Sequence, residues 1–526
     1  MESYFQEISS RAWAVVVAVP ERDFNLPICI STVFFTFTLT FSLFSLLLHL
    51  LRISNLCCSC DACHSYLTSS WTLDFPNLSD FYTHLLRKSP SRTITLHSLN
   101  NVVTANPLNV LHILHSKFPN YPKGKPFSAI LGDLLGRGIF NVDGPSWSFQ
   151  RKLASLELSS SSVRLFALHV LSSEIHSRLL PLLLSRTSST SNSSSSSSSL
   201  DLQDVFKRFS FDKICKFSFG VDPGCLQLSL PVSEFADAFD LASRLSAERA
   251  LCLSPLIWRI KRLLNVGCER RLREAIHMVD QFAREVIRQK RKSGSYATHQ
   301  DLLSRFMNSA IQDDDAYLRD IVISFLLAGR DTVASTLTTF FFSLANNPDV
   351  ASAILAESDR VMGPDSDRAV PSPDQIRDMV YLHAAVHESM RLYPPVQFDS
   401  KFALEDDVLP DGTFVKKGTR VTYHPYAMGR MEEVWGPDCL EFRPDRWIKN
   451  GVFSPVSPYE YPVFQAGLRV CLGKELALMT IKCVVVAVVR RFEIEAVEPR
   501  SVPLFAPGLT TTVRGGLPVR VRQRRR

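Results

Sequence analysis

The chain has no disulfide framework. Its 12 cysteines lack paired spacing over most of the sequence, which in a long chain points to a reducing compartment. The exception is Cys57, Cys58, Cys60 and Cys63, with His64 beside them. No second cluster with zinc spacing follows, so plain juxtamembrane thiols are preferred over a zinc knuckle or S-acylation. No glycine fingerprint of a flavin- or nicotinamide-binding unit stands out, so electrons, if needed, come from another protein. A dominant charge is missing too. The net charge is +7, but Arg520, Arg522, Arg524, Arg525 and Arg526 crowd the end. The rest is nearly balanced, which argues against nucleic-acid binding. No small-residue cleavage site follows the N-terminal apolar residues, which argues against a signal peptide.

One long uncharged run is present. Leu26 to Leu51 is 26 residues without a formal charge, enough to cross a hydrocarbon core of about 30 Å. Ala12 to Val19 is too short for that. Arg11 and Arg22 precede the run and only Arg52 follows closely, so the positive-inside rule does not orient it. The expected organisation is a leading segment (1–25), a membrane anchor (26–51), a linker with a first helix (52–90), one large domain (91–519) and a solvated, disordered basic tail (520–526). Residues 185–199 are a serine tract, read as a surface loop.

The densest chemistry lies in Phe464 to Gly473, FQAGLRVCLG. Its five fixed positions, Phe-x-x-Gly-x-Arg-x-Cys-x-Gly, recur by chance in about one in ten thousand chains of this length. Gly467 permits a tight turn, and Gly473 permits close packing as an apolar helix (Leu476 to Val489) begins. Cys471 would then lie near a helix N-terminus, which favours thiolate. Arg469 can pair with an anionic group, and Phe464 can shield the sulfur. This stretch resembles the haem-binding signature of the cytochromes P-450, in which a Cys thiolate holds the iron.

Further motifs extend the resemblance. Trp147 and Arg151, at i and i+4, follow a Gly- and Pro-punctuated loop (Tyr121 to Asp143) and resemble the family's haem-propionate partners. Lys401 stands where a cationic propionate partner is often found. Asp315 to Ala345 predicts one helix of about 45 Å with Ala328-Gly329-Arg330-Asp331-Thr332 at its centre. Small residues there leave room for O2. The resemblance makes Thr332 the oxygen-binding hydroxyl and Asp331 the proton relay. Glu388 and Arg391 share a helical face, and the resemblance pairs them with Arg446 of Phe442-x-Pro444-x-Arg446, a structural network fixing the cysteine loop. Asp445 and Trp447 stand there where Glu and Phe are commoner. Arg92–Leu99 and Val102–Ala105 read as a hairpin. Val396 to Phe398 and the loop Pro503 to Thr512 are expected at the pocket.

The implied fold is mainly α with a smaller β part. The resemblance implies haem b, a membrane-bound NADPH-dependent cytochrome P-450 reductase as partner, O2 as co-substrate, and an endoplasmic-reticulum anchor with a cytosolic catalytic domain. Segments such as FLLAGRDT and KGKPFSAILGDLLGRGIFNVDG are similar to those of plant fatty-acid omega-hydroxylases. YLTSSW and GDLLGRGIFN look most like the branch that oxidises jasmonoyl-amino acid conjugates. The expected substrate is therefore an amphiphile with a carboxylate, oxidised at its terminal carbon. Lys123, Lys125, Arg137, Arg244 and Arg249 are candidate carboxylate anchors. Rival readings are a haem-thiolate isomerase or dehydratase of hydroperoxides and a non-catalytic haem sensor. The sensor needs no proton relay, and the isomerase commonly lacks the Thr.

Overall fold

The computed structural model describes residues 35–43, 60–187, 199–226, 234–252, 254–293, 301–308, 314–364, 366, 368–498 and 502–524. Most of the expected anchor, Cys57, Cys58 and residues 188–198 of the serine tract lie outside them. The chain divides into Met1–His64 and Ser65–Arg526. In the first unit residues 35–43 are helical, with Phe35, Phe37 and Phe41 exposed.

The second unit is built around the helix predicted at its centre. Asp315–Asn346 is helical throughout, but its middle, Leu327–Asp331, widens into a π-type turn, a distortion common at functional sites. The flanking halves are buried in different places. Leu318, Ile321 and Leu326 pack with Phe211, Phe235 and Phe239. Leu337, Phe340 and Phe341 pack with Phe206, Phe209 and the Val484–Val489 run. The widened turn lies between the two apolar clusters, where the packing opens.

A four-stranded sheet forms one wall. β1 (Thr93–Leu96) and β2 (Asn101–Thr104) make the expected hairpin. β3 (Asp399–Phe402) and β4 (Arg420–Tyr423) are antiparallel to each other. β2 pairs in parallel with β4, giving the order β1-β2-β4-β3.

Two expectations are corrected. The segment 121–143 is not all loop: Gly124–Leu135 is an α-helix. Pro126 sits in its first turn, where a missing N–H costs little, and Gly136, at φ 51°, ends it. Glycine and proline here mark helix ends, not a continuous loop. Arg520, Arg522 and Arg524 of the expected tail are not disordered either, while Arg525 and Arg526 lie outside the described residues. Pro518–Gln523 is a strand antiparallel to Phe492–Ala496. Val519 and Val521 point inward and are buried, while Arg522 pairs with Glu495 at 3.0 Å and Arg524 with Glu493 at 3.0 Å. The alternation of valine and arginine is a period-two strand pattern.

Candidate active site

The cysteine loop is shaped by backbone requirements. Gln465 and Gly467 both take left-handed conformations, at φ 62° and 61°. A Cβ on Gly467 would lie 2.1 Å from the Leu114 carbonyl oxygen, so only glycine fits. The Cys471 N–H donates to the Phe464 carbonyl at 2.8 Å, closing the loop. The following helix, Lys474–Val489, starts three residues after the cysteine. Burial pushes the Cys471 thiol up, against the pull of the Gly473 N–H, Arg151 and Lys474. The Gly473 N–H at the start of this helix acts in the direction expected of a helix terminus, and coordination to a metal would add to it.

Cys471 opens into a cavity of about 580 Å³. The central helix contributes Ala328, Gly329 and Thr332, and the cysteine loop contributes Phe464, Arg469 and Gly473. Val396, Phe398 and the returning loop 505–511 line it too, as expected. Gly329 owes its size to packing. An added Cβ would lie 2.3 Å from Ile214 Cδ1, so the small residue admits a neighbouring helix as well as facing the cavity.

Three of the expected cofactor partners meet at one edge. Arg469 lies 4.6 Å over the Trp147 ring and donates from Nη2 to Asp143 Oδ1 at 2.7 Å. Its Nε is buried and has no hydrogen-bond partner. Arg151 donates to the Val470 carbonyl at 2.7 Å and so also braces the cysteine loop. Lys401 lines the cavity but is committed: its Nζ lies 3.0 Å from Asp399 Oδ2. Lys123 pairs with the other oxygen of Asp399, and the Tyr423 hydroxyl donates to Oδ2 at 2.9 Å.

Thr332 and Asp331 face different spaces. Thr332 lines the main cavity and donates to the Ala328 carbonyl at 2.6 Å. Asp331 lines an adjoining pocket of about 300 Å³ with Lys207, Asp240 and Arg244. Burial raises its carboxyl to about 6, even though Arg330 pulls it down. Arg330, overlooked in the sequence, is buried and bridges Asp331 at 3.0 Å to Asp240. Its neighbour in sequence was visible; Asp240, 90 residues away, was not.

The Glu388 network assembles around one carboxylate. Arg391 donates from Nε to Glu388 Oε2 at 2.7 Å. Arg446 reaches Oε1 at 3.2 Å, and the Arg443 N–H donates to the same oxygen at 2.9 Å. Next to Glu388, the His387 carbonyl accepts from the Tyr461 hydroxyl at 3.1 Å, three residues before Phe464. This ties the network to the start of the cysteine loop.

A lone thiol facing an apolar cavity, with a guanidinium at its edge whose Nε is unsatisfied, fits a flat iron complex bearing anionic tails. The cytochrome P450 family profile matches residues 72–517. The chain belongs to the cytochrome P450 family. It is 59% identical over 503 residues to cytochrome P450 94C1 of Arabidopsis thaliana, covering 95% of this chain and 99% of that relative. It is 48% identical to cytochrome P450 94B1 of Arabidopsis thaliana, over 85% of this chain and 88% of the relative. Cytochrome P450 94A1 of Vicia sativa is 45% identical over 84% and 85%. In three dimensions it resembles the haem domain of cytochrome P450DA with a TM-score of 0.66, at 20% identity, over 81% of this chain and 88% of that one. The fold is thus the P450 fold, and haem b is its cofactor.

Proposed function

We propose that this P450 monooxygenase oxidises the terminal carbon of a carboxylate-bearing amphiphile, a jasmonoyl-amino acid conjugate or a fatty acid. The observation that carries this reading is the mainly apolar cavity running from Cys471 and Thr332 to the sheet wall at Arg420. Haem b, when bound, supplies the oxidant for an unactivated C–H bond. Cys471 would bind its iron, and Trp147, Arg151, Arg469 and Lys401 would hold its anionic groups. Thr332 presents its hydroxyl to the reacting face, and Asp331 passes protons inward from the adjoining pocket. The Glu388–Arg391–Arg446 network keeps the cysteine loop in register. Two electrons come from an NADPH-dependent reductase at the endoplasmic-reticulum membrane, where the run 26–51 anchors the chain.

The test is product analysis from microsomes given NADPH, a reductase and either jasmonoyl-isoleucine or lauric acid. Terminal alcohols or carboxylates that depend on NADPH support the reading. NADPH-independent conversion of a hydroperoxide, with no terminal oxidation, would replace it by the isomerase.

A further inference from the structure

We propose that Arg420 is the residue that captures the substrate carboxylate. This deepens the reading above and rests on it. The five cations expected for that task are otherwise engaged or outside the cavity. Arg249 is buried against Glu269 and Asp133. Arg137 pairs with Asp314 at the surface, Arg244 lines the adjoining pocket, and Lys125 is exposed and does not line the cavity. Lys123 shares Asp399 with Lys401.

Arg420 differs from all of them. It begins β4 and lines the cavity. Its Nε donates to Ser400 Oγ at 2.9 Å and its Nη1 to the Ala250 carbonyl at 3.1 Å. Both acceptors are neutral, and they fix the guanidinium plane without neutralising it. Among the described residues no carboxylate forms an ion pair with it, and Nη2 makes no hydrogen bond. Asp399 acts on it only at longer range, since that carboxylate is held by Lys123, Lys401 and Tyr423. A guanidinium carries five donors in a planar fork, so donors remain for a bidentate carboxylate.

Its position also suits the task. Ala250 and Leu251, at the end of the helix Glu234–Leu251, flank it at the cavity wall. Two other cations of the cavity bond to neutral groups: Arg151 to the Val470 carbonyl beside Cys471, and Lys213 to Thr480 at 3.3 Å. Thr480 belongs to the helix that follows Cys471, so Lys213 lies on the cysteine side. Arg420 and Thr332 line the same cavity, so a chain anchored at Arg420 can extend towards Thr332.

The experiment is a spectral binding titration of the holoenzyme with lauric acid and jasmonoyl-isoleucine, each compared with its methyl ester. The wild type should bind the acids more tightly than the esters. In R420Q the acid Kd should rise roughly 10- to 100-fold, the loss expected for a charged hydrogen-bond pair, while the ester Kd stays put. R420K should fall between. The sulfur-ligated haem spectrum in each variant verifies the fold. Equal weakening of acid and ester in R420Q, an unchanged acid Kd, or a loss found in R514Q instead overturns the assignment. Because binding is read without turnover, a wild type that prefers acids yet oxidises neither compound condemns the proposed reaction and leaves the anchor standing.

Discussion

The Trp447 indole N–H donates to Glu388 Oε2 at 2.9 Å, the same oxygen that receives Arg391 Nε at 2.7 Å. Phenylalanine, commoner at this place, has no such donor. Glu388 thereby gains an extra bond in an environment with no solvent exposure at its side chain. W447F should lower stability by about 1–3 kcal/mol, the loss of a hydrogen bond to a charged group. E388A should cost more, about 3–5 kcal/mol, because Arg391 is left buried and unpaired. Thermal unfolding of both variants, with haem content measured alongside, checks the order.

Asp399 is the single carboxylate between two lysines. Burial alone would raise it, but Lys123 and Lys401 outweigh that and hold it below the usual carboxylate range. D399N leaves two cations crowded in the cavity wall. The variant should lose about 3–5 kcal/mol of stability, and K401M in the same chain should return part of it. Denaturant titration of the single and double variants tests this.

Buried lysines set a pH dependence on the alkaline side. Burial lowers Lys213 from 10.5 to about 8, and Lys482 likewise to about 8. At these two sites the folded chain then holds fewer protons than the unfolded one between those values. These two lysines contribute a rise of stability with pH across that window, opposed by the buried thiols of Cys225 and Cys483, which burial pushes up to about 11 and about 12; the lysine cost is fully present below about 8. K213M should therefore melt higher than the wild type at neutral pH, and the difference should shrink as the pH rises from about 8 towards 10.5. A parallel curve for K213M would show that this lysine is not the source.

The relay predicts a separation of binding from chemistry. Asp331 lies outside the main cavity, so D331N should leave the substrate Kd unchanged and lower kcat by roughly 10²-fold or more. R330A should act differently: it strands Asp331 while Asp240 keeps Lys207, so its first effect is a lower Tm. Stopped-flow turnover and melting curves on the two variants distinguish these outcomes.

The motifs were legible because each is local. Phe464 to Gly473 and Glu388 with Arg391 lie within one loop and one helical turn, and the central helix announces itself by length and apolarity. What escaped depends on distant partners. Arg420 has no motif around it, and only the fold brings Ser400 and Ala250 to its guanidinium. Asp240 meets Arg330 across two helices. The helix Gly124–Leu135 was hidden because the glycines and proline at its ends are also loop formers, and local preference cannot tell the two uses apart. The final strand was masked by its arginines, whose charge pointed to solvent while the intervening valines pointed to the core.

Every proposed role at the site depends on Cys471 binding the haem iron. The direct measurement is the difference spectrum of the reduced, carbon-monoxide-treated protein, wild type against C471S, at matched haem content. The wild type should show the red-shifted Soret band of a thiolate-bound haem, and C471S should lose both that band and substrate oxidation. A C471S protein that keeps the band and the activity contradicts the account.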